Sequence, residues 1–219
     1  MAKLVIRALQ NFNFAMVKAV FDEVAQDCPL LVVSSEEVSS MEYKLILTID
    51  TDLVAKITLY TNSSSIGTKL VTFNGNSLMS VSTGYGVSNP KLVIAYTDSF
   101  FLFLILSGNS PQVYVLYEKL ANEKFAYASD GGFYFDLYDT SKTKLTRRLM
   151  SATYTTDQGY IDYMDKTLIT RSSGTRLSEF DSNFVYVMNS VNIQFSIITM
   201  DNKDYYALTN QFLIPIDSE

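Results

Sequence analysis

Residues 92–106 read Leu-Val-Ile-Ala-Tyr-Thr-Asp-Ser-Phe-Phe-Leu-Phe-Leu-Ile-Leu. Two apolar runs are divided by one short polar segment, and the reading of this stretch decides the fold class. The second run, Phe100 to Leu106, is far shorter than the roughly 20 residues a helix needs to cross a bilayer. Its β-branched and aromatic residues, bounded by a Thr-Asp turn, fit a strand buried on both faces. The segment is therefore read as a hairpin of two strands, Leu92–Tyr96 and Phe100–Leu106.

The same pattern extends in both directions. From Leu30 onward apolar residues alternate with polar ones or form short unbroken runs, and turn-forming residues punctuate them at intervals of about 8 to 12 residues. Before the hairpin this predicts strands at Leu30–Ser34, Tyr43–Ile49, Val54–Tyr60 and Lys69–Phe73. After it come Val113–Tyr117, Phe133–Tyr138, Leu145–Thr153, Phe184–Met188, Ile193–Ile198, Tyr205–Leu208 and Phe212–Ile216. The connections are short, which favours serial antiparallel hairpins over crossover helices. Thr51-Asp52, Asn74-Gly75, Thr97-Asp98, Asn189-Ser190, Asp201-Asn202 and Thr209-Asn210 are the expected turns. Residues 92–117 and 184–208 follow the same pattern, and each is expected to be a three-strand meander.

One segment departs from the two-residue period. Val17, Val20, Phe21 and Val24 recur at the spacing of one helical face. A helix over about 13–27 is expected, with Asn13 as its N-cap and Pro29 ending it, because proline cannot donate to the helix ladder. The fold class is thus mainly β: antiparallel sheets, sandwich or barrel-like, built from hairpins behind one N-terminal amphipathic helix. Residues 1–219 are read as a single domain, with a possible subdivision near 107–111 or within 155–182. The second stretch is polar and Gly-containing, and is expected to be a long loop.

Composition sets limits on function. A hydrophobic fraction of 47 % with 18 % charged residues predicts an ordered core rather than a disordered chain. The 15 Tyr and 14 Phe, with no Trp, suit half-buried pleated surfaces. A formal net charge of −6 gives no long-range attraction for nucleic acid or anionic lipid. The single cysteine, Cys28, cannot build an intrachain disulfide framework and is expected to be a small buried apolar residue at the helix end. Met1 to Arg7 lacks the features of a secretory signal. With no membrane span in the sequence either, a cytoplasmic location is expected outside any particle.

The complete absence of histidine removes Ser-His-Asp and Cys-His catalysis, and with one Cys it argues against zinc and related metals. No cofactor is expected. Carboxylate-only chemistry survives, because a glycosidase needs two acids flanking the bond. Asp162 with Asp165, or Asp201 with Asp204, are the available pairs, but each lies in a turn-like segment where Asp bonds the local backbone. Asp201-Asn202-Lys203-Asp204 offers oxygens to calcium, with a lysine set among them, and is read as a turn. Gly84-Tyr85-Gly86 lacks the third glycine and the helix of a nucleotide loop.

Two groups of residues are candidates for contact surfaces. Tyr combines a rigid contact area with a polar tip and is enriched at interfaces, and Tyr85, Tyr154, Tyr160 and Tyr163 fall in polar surroundings. Lys142, Lys144 and Arg148 share the parity of one strand face beside Arg147. They suit an acidic partner surface or a phosphate, or a solvated face that discourages edge pairing.

The run Lys203-Asp-Tyr-Tyr-Ala-Leu-Thr-Asn210 leading into Phe212-Leu-Ile-Pro-Ile216, behind an amphipathic helix and serial hairpins without His, resembles structural proteins of bacteriophage virions of the tail, neck or baseplate type. The resemblance covers mainly the C-terminal third. It implies a non-enzymatic subunit in a virion, forming homo-oligomers and contacting other structural proteins, with no catalytic residues to carry over. A carbohydrate- or receptor-binding β module that uses residues 154–163, and a carboxylate glycosidase, are the alternatives.

Overall fold

The computed structural model describes residues 2–8, 14–39, 42–51, 53–60, 65–73, 76–80, 85–86, 90–107, 110–120, 123–129, 136–138, 144–149, 152–156, 159–171, 176–190, 196–209 and 212–216. The chain divides into two compact units. The larger comprises Leu4–Lys119 and Lys124–Thr143, and the smaller comprises Met1–Lys3, Leu120–Glu123 and Lys144–Glu219. The stretch 107–111 falls wholly inside the larger unit and 155–182 wholly inside the smaller.

The larger unit begins with strand β1 (Lys3–Ala8) and helix α1 (Phe14–Asp27). Strands β2 (Leu31–Ser39), β3 (Glu42–Ile49), β4 (Leu53–Tyr60), β5 (Ser65–Phe73), β6 (Asn76–Ser80) and β7 (Tyr85–Gly86) follow. Then come β8 (Pro90–Tyr96), β9 (Phe100–Ser107), β10 (Ser110–Leu120), β11 (Glu123–Ser129) and β12 (Asp136–Tyr138). One sheet has the order β2-β3-β4-β5-β6, with β7 beside β5; the second runs β1-β8-β9-β10-β11-β12. Every pairing registered within these sheets is antiparallel. The sheets are open, and none closes into a barrel.

The helix forms where the 3.6-residue pattern places it, and Val17, Val20, Phe21 and Val24 are its buried face. Cys28 N–H still donates to Val24 C=O at 2.9 Å, and Leu31 N–H then donates to Cys28 C=O at 3.2 Å, which turns the chain around Pro29 into β2. Cys28 itself is buried, and that burial pushes its thiol above the ordinary value against two backbone hydrogen bonds. Asn13 lies outside the described residues.

The helix face meets both sheets. On β3, Leu45, Leu47 and Ile49 are buried and the residues between them half-buried, the alternation of a sheet with one core face. Leu92, Ile94 and Tyr96 on β8 stand opposite Ile105, Phe103 and Phe101 on β9, so they share a face. That face joins α1, β2, β3 and β4 in one apolar cluster, with Tyr117 of β10 included. Phe21 meets Phe103 edge to face at a centroid separation of 5.6 Å. Phe14 stacks on Tyr43 at 4.9 Å. Val93, Ala95, Phe100, Leu102 and Leu104 on the opposite face of β8 and β9 are buried as well, which is why that hairpin reads as unbroken apolar runs.

The smaller unit contains β13 (Lys144–Leu149), β14 (Ala152–Thr156), β15 (Gly159–Arg171), β16 (Arg176–Ser190), β17 (Ile197–Met200), β18 (Lys203–Thr209) and β19 (Phe212–Ile216). Their order is β13-β15-β16-β19-β18-β17, with β14 beside β15. Ala2 N–H donates to Pro215 C=O at 3.1 Å, and a parallel bridge pairs Ala2 with Ile216.

Several expectations are corrected. The stretch 155–182 is mainly strand, and the polar residues Asp162, Asp165, Lys166 and Thr167 within β15 are what make its sequence resemble a loop; 157–158 and 172–175 lie outside the described residues. Asn189 and Ser190 continue β16, opposite Asp162 and Ile161, and form no turn. The second meander is therefore β17-β18-β19, while the 184–188 segment pairs with β15 and β19. Strand alternation reports a buried face and does not report which neighbour completes the ladder. Strands β1, β6, β7 and β11 are not among the expected ones, the expected strand Leu145–Thr153 is instead two, β13 and β14, each paired with β15, and β2 continues past Ser34 to Ser39. The first turn joins the paired residues Ile49 and Leu53 and includes the expected Thr51, with φ of 47° at Asp50 and 58° at Thr51; Asp52 lies outside the described residues. At Asp201-Asn202 the expected turn forms, with φ of 50° and 59° between the paired residues Met200 and Lys203, as a two-residue type I′ loop requires. Asn74-Gly75, Asn210 and residues 133–135 and 193–195 lie outside the described residues.

Truncation of Phe21 to Ala should therefore leave a cavity shared by α1 and β9. A loss of about 3–5 kcal/mol in urea unfolding is expected; a loss below 1 kcal/mol would contradict the packing of α1 into this cluster.

Candidate functional site

Among the described residues the large apolar side chains left in solvent are Ile6, Val32, Val38 and Ile197, at 40 %, 61 %, 45 % and 63 % exposure. Isolated exposed apolar residues are common on any protein. The location of these four is what distinguishes them. Ile6 is on β1, Val32 and Val38 on β2, and Ile197 on β17, and each of these is the end strand of its ladder. An end strand presents unpaired N–H and C=O groups, which are a template for another strand.

Strand β2 is the longest of the three. Leu31 is buried and Val33 half-buried against the core, while Val32 and every residue from Ser34 to Val38 is exposed. Its pairing with β3 is regular from Leu31 opposite Ile49 to Glu37 opposite Tyr43, and it becomes irregular before Ser39. Lys44 of β3 stands 3.9 Å from Glu36. The acidic pair Glu36-Glu37 interrupts the apolar alternation, and that interruption is the sequence signal of an edge.

A polar node fixes the start of this sheet. Asp50 occupies the left-handed region, which Asp tolerates better than most residues, and its N–H donates to Leu30 C=O at 2.8 Å. The buried Tyr117 of β10 donates its hydroxyl to the Asp50 carboxylate, and Lys124 of β11 lies 3.0 Å from the same oxygen. Burial raises the Asp50 carboxyl, but the Tyr117 hydrogen bond, the hydrogen bond and charge of Lys124 and the charge of Lys119 outweigh it. The group stays below its ordinary value. The node ties the β3–β4 turn to β10 and β11 across 67 residues of sequence between Asp50 and Tyr117, a separation no local pattern reveals.

The residues singled out from the sequence fall elsewhere. Tyr154, on β14, pairs with Ile161, while Tyr160 and Tyr163 of β15 pair with Thr155 and Ala152. This register places positions 154 and 163 on one face of a hairpin and position 160 on the other, so they do not form a single loop surface. Tyr85 pairs with Ile66 on the short strand β7, in the larger unit. Arg148 of β13 pairs with Leu168, and Lys144 is on the same strand. The side chains of these residues, and all of Lys142, lie outside the described residues.

The candidate acids also have local explanations. Asp201 occupies the turn, and Asp204 accepts a hydrogen bond from Thr199 Oγ1 at 2.6 Å across the hairpin. Asp162 pairs with Asn189, and Asp165 falls where the β15–β16 register shifts. Among the described residues no group of three or more Cys, Asp and Glu is placed to hold a metal. No helix among them is long and apolar enough to cross a membrane. Comparison with known proteins gives no match to a family model, a curated protein or a solved structure.

Because the folded carboxyl of Asp50 titrates below its unfolded value, its contribution to stability is complete above about pH 4 to 5 and is lost as pH falls through the folded value. At pH 7, Tyr117→Phe should cost about 1.5–3 kcal/mol, the worth of a hydrogen bond to a charged group. The gap between wild type and Asp50→Asn should narrow on acidification to pH 3 in urea titrations. A gap independent of pH would contradict the ionised node.

Proposed function

We propose that this protein is a non-enzymatic structural and assembly protein that acts through contacts with copies of itself and with other structural proteins of a particle. The observation that carries the reading is that Ile6, Val32, Val38 and Ile197 all lie on end strands. Among the described residues each of these strands ends its ladder and carries an outward apolar side chain, features that suit strand addition between chains. The absence of histidine and the structural employment of Asp201 and Asp204 support a binding role over catalysis. The resemblance of residues 203–216 to tail, neck or baseplate proteins of bacteriophages points to a virion as the particle.

Closed point-group oligomers are the usual product of such self-complementary surfaces. Light scattering on the purified chain over a dilution series should give a mass that is a whole multiple of the protomer and falls on dilution. Recovery of the tagged chain from its native source should bring structural proteins of one particle with it. A strict monomer that recovers no partner would contradict the reading.

A further inference from the structure

We draw no further inference here: the strongest candidate, the exposed apolar side chains Val32 and Val38 on end strand β2 with Ile197 on end strand β17, carries nothing because nothing in the structure shows what covers them, and the acidic pair Glu36-Glu37 and the register shift between Glu37 and Ser39 blunt the β2 edge.

Discussion

The structure depends on one constraint: the buried faces of two antiparallel sheets must be closed by a single short helix. Val17, Val20, Phe21 and Val24 supply one side of that closure, and Leu45, Leu47, Ile49, Leu92, Ile94, Phe101 and Phe103 supply the other. Burying such side chains contributes roughly 1.5–3 kcal/mol each relative to exposure, against the cost of ordering the chain around them. The Phe21–Phe103 contact shows how directly the helix and the β8–β9 hairpin depend on each other. The Asp50 node adds direction to this non-directional force. By joining the β3–β4 turn to Tyr117 and Lys124, it fixes one end of the first sheet relative to the second.

Much of this was readable in the residues. The helix face was visible because a 3.6-residue period in an otherwise two-residue pattern has one explanation. The β8–β9 hairpin was visible because Phe100–Leu106 is too short for a bilayer and too apolar for a loop. Asp201-Asn202 was visible because few residue pairs accept two left-handed conformations in succession. What stayed hidden depends on partners distant in sequence. Segment 184–188 is an unbroken apolar run rich in aromatic and β-branched residues, as a buried strand should be, yet nothing in it says that β15 and β19 are its neighbours. Strand β15 was hidden because its polar residues, Asp162, Asp165, Lys166 and Thr167, suit a surface ladder as well as a loop. The candidate site was the least legible part. The tyrosines at 154, 160 and 163 suggested a loop surface and fall on the two faces of a hairpin. For β2 the strand is expected to end at Ser34, and no edge is expected there.

The same physics that closes the interior leaves the edges open. A sheet that does not close into a barrel has end strands, and their backbone groups are satisfied by water, by a cover or by another chain. Natural edges are often blunted by charged residues, proline or bulges. Here β2 carries two exposed valines around an acidic pair, and β17 carries an exposed isoleucine. Assembly through such edges needs neither imidazole nor bound metal, in keeping with a chain that has no histidine and one buried thiol.

The central claim is that a closed core and open edges coexist in one protomer. Native-state amide hydrogen exchange across a range of protein concentration tests it most directly. The amides of Val93–Ala95 and Leu102–Leu104 should exchange slowest, at a rate independent of concentration. The outward amides of Ser34–Val38 should exchange quickly in dilute solution. Protection of Ser34–Val38 equal to that of β8 and β9 at high dilution would mean that the edge is covered within a single chain, and would contradict the account.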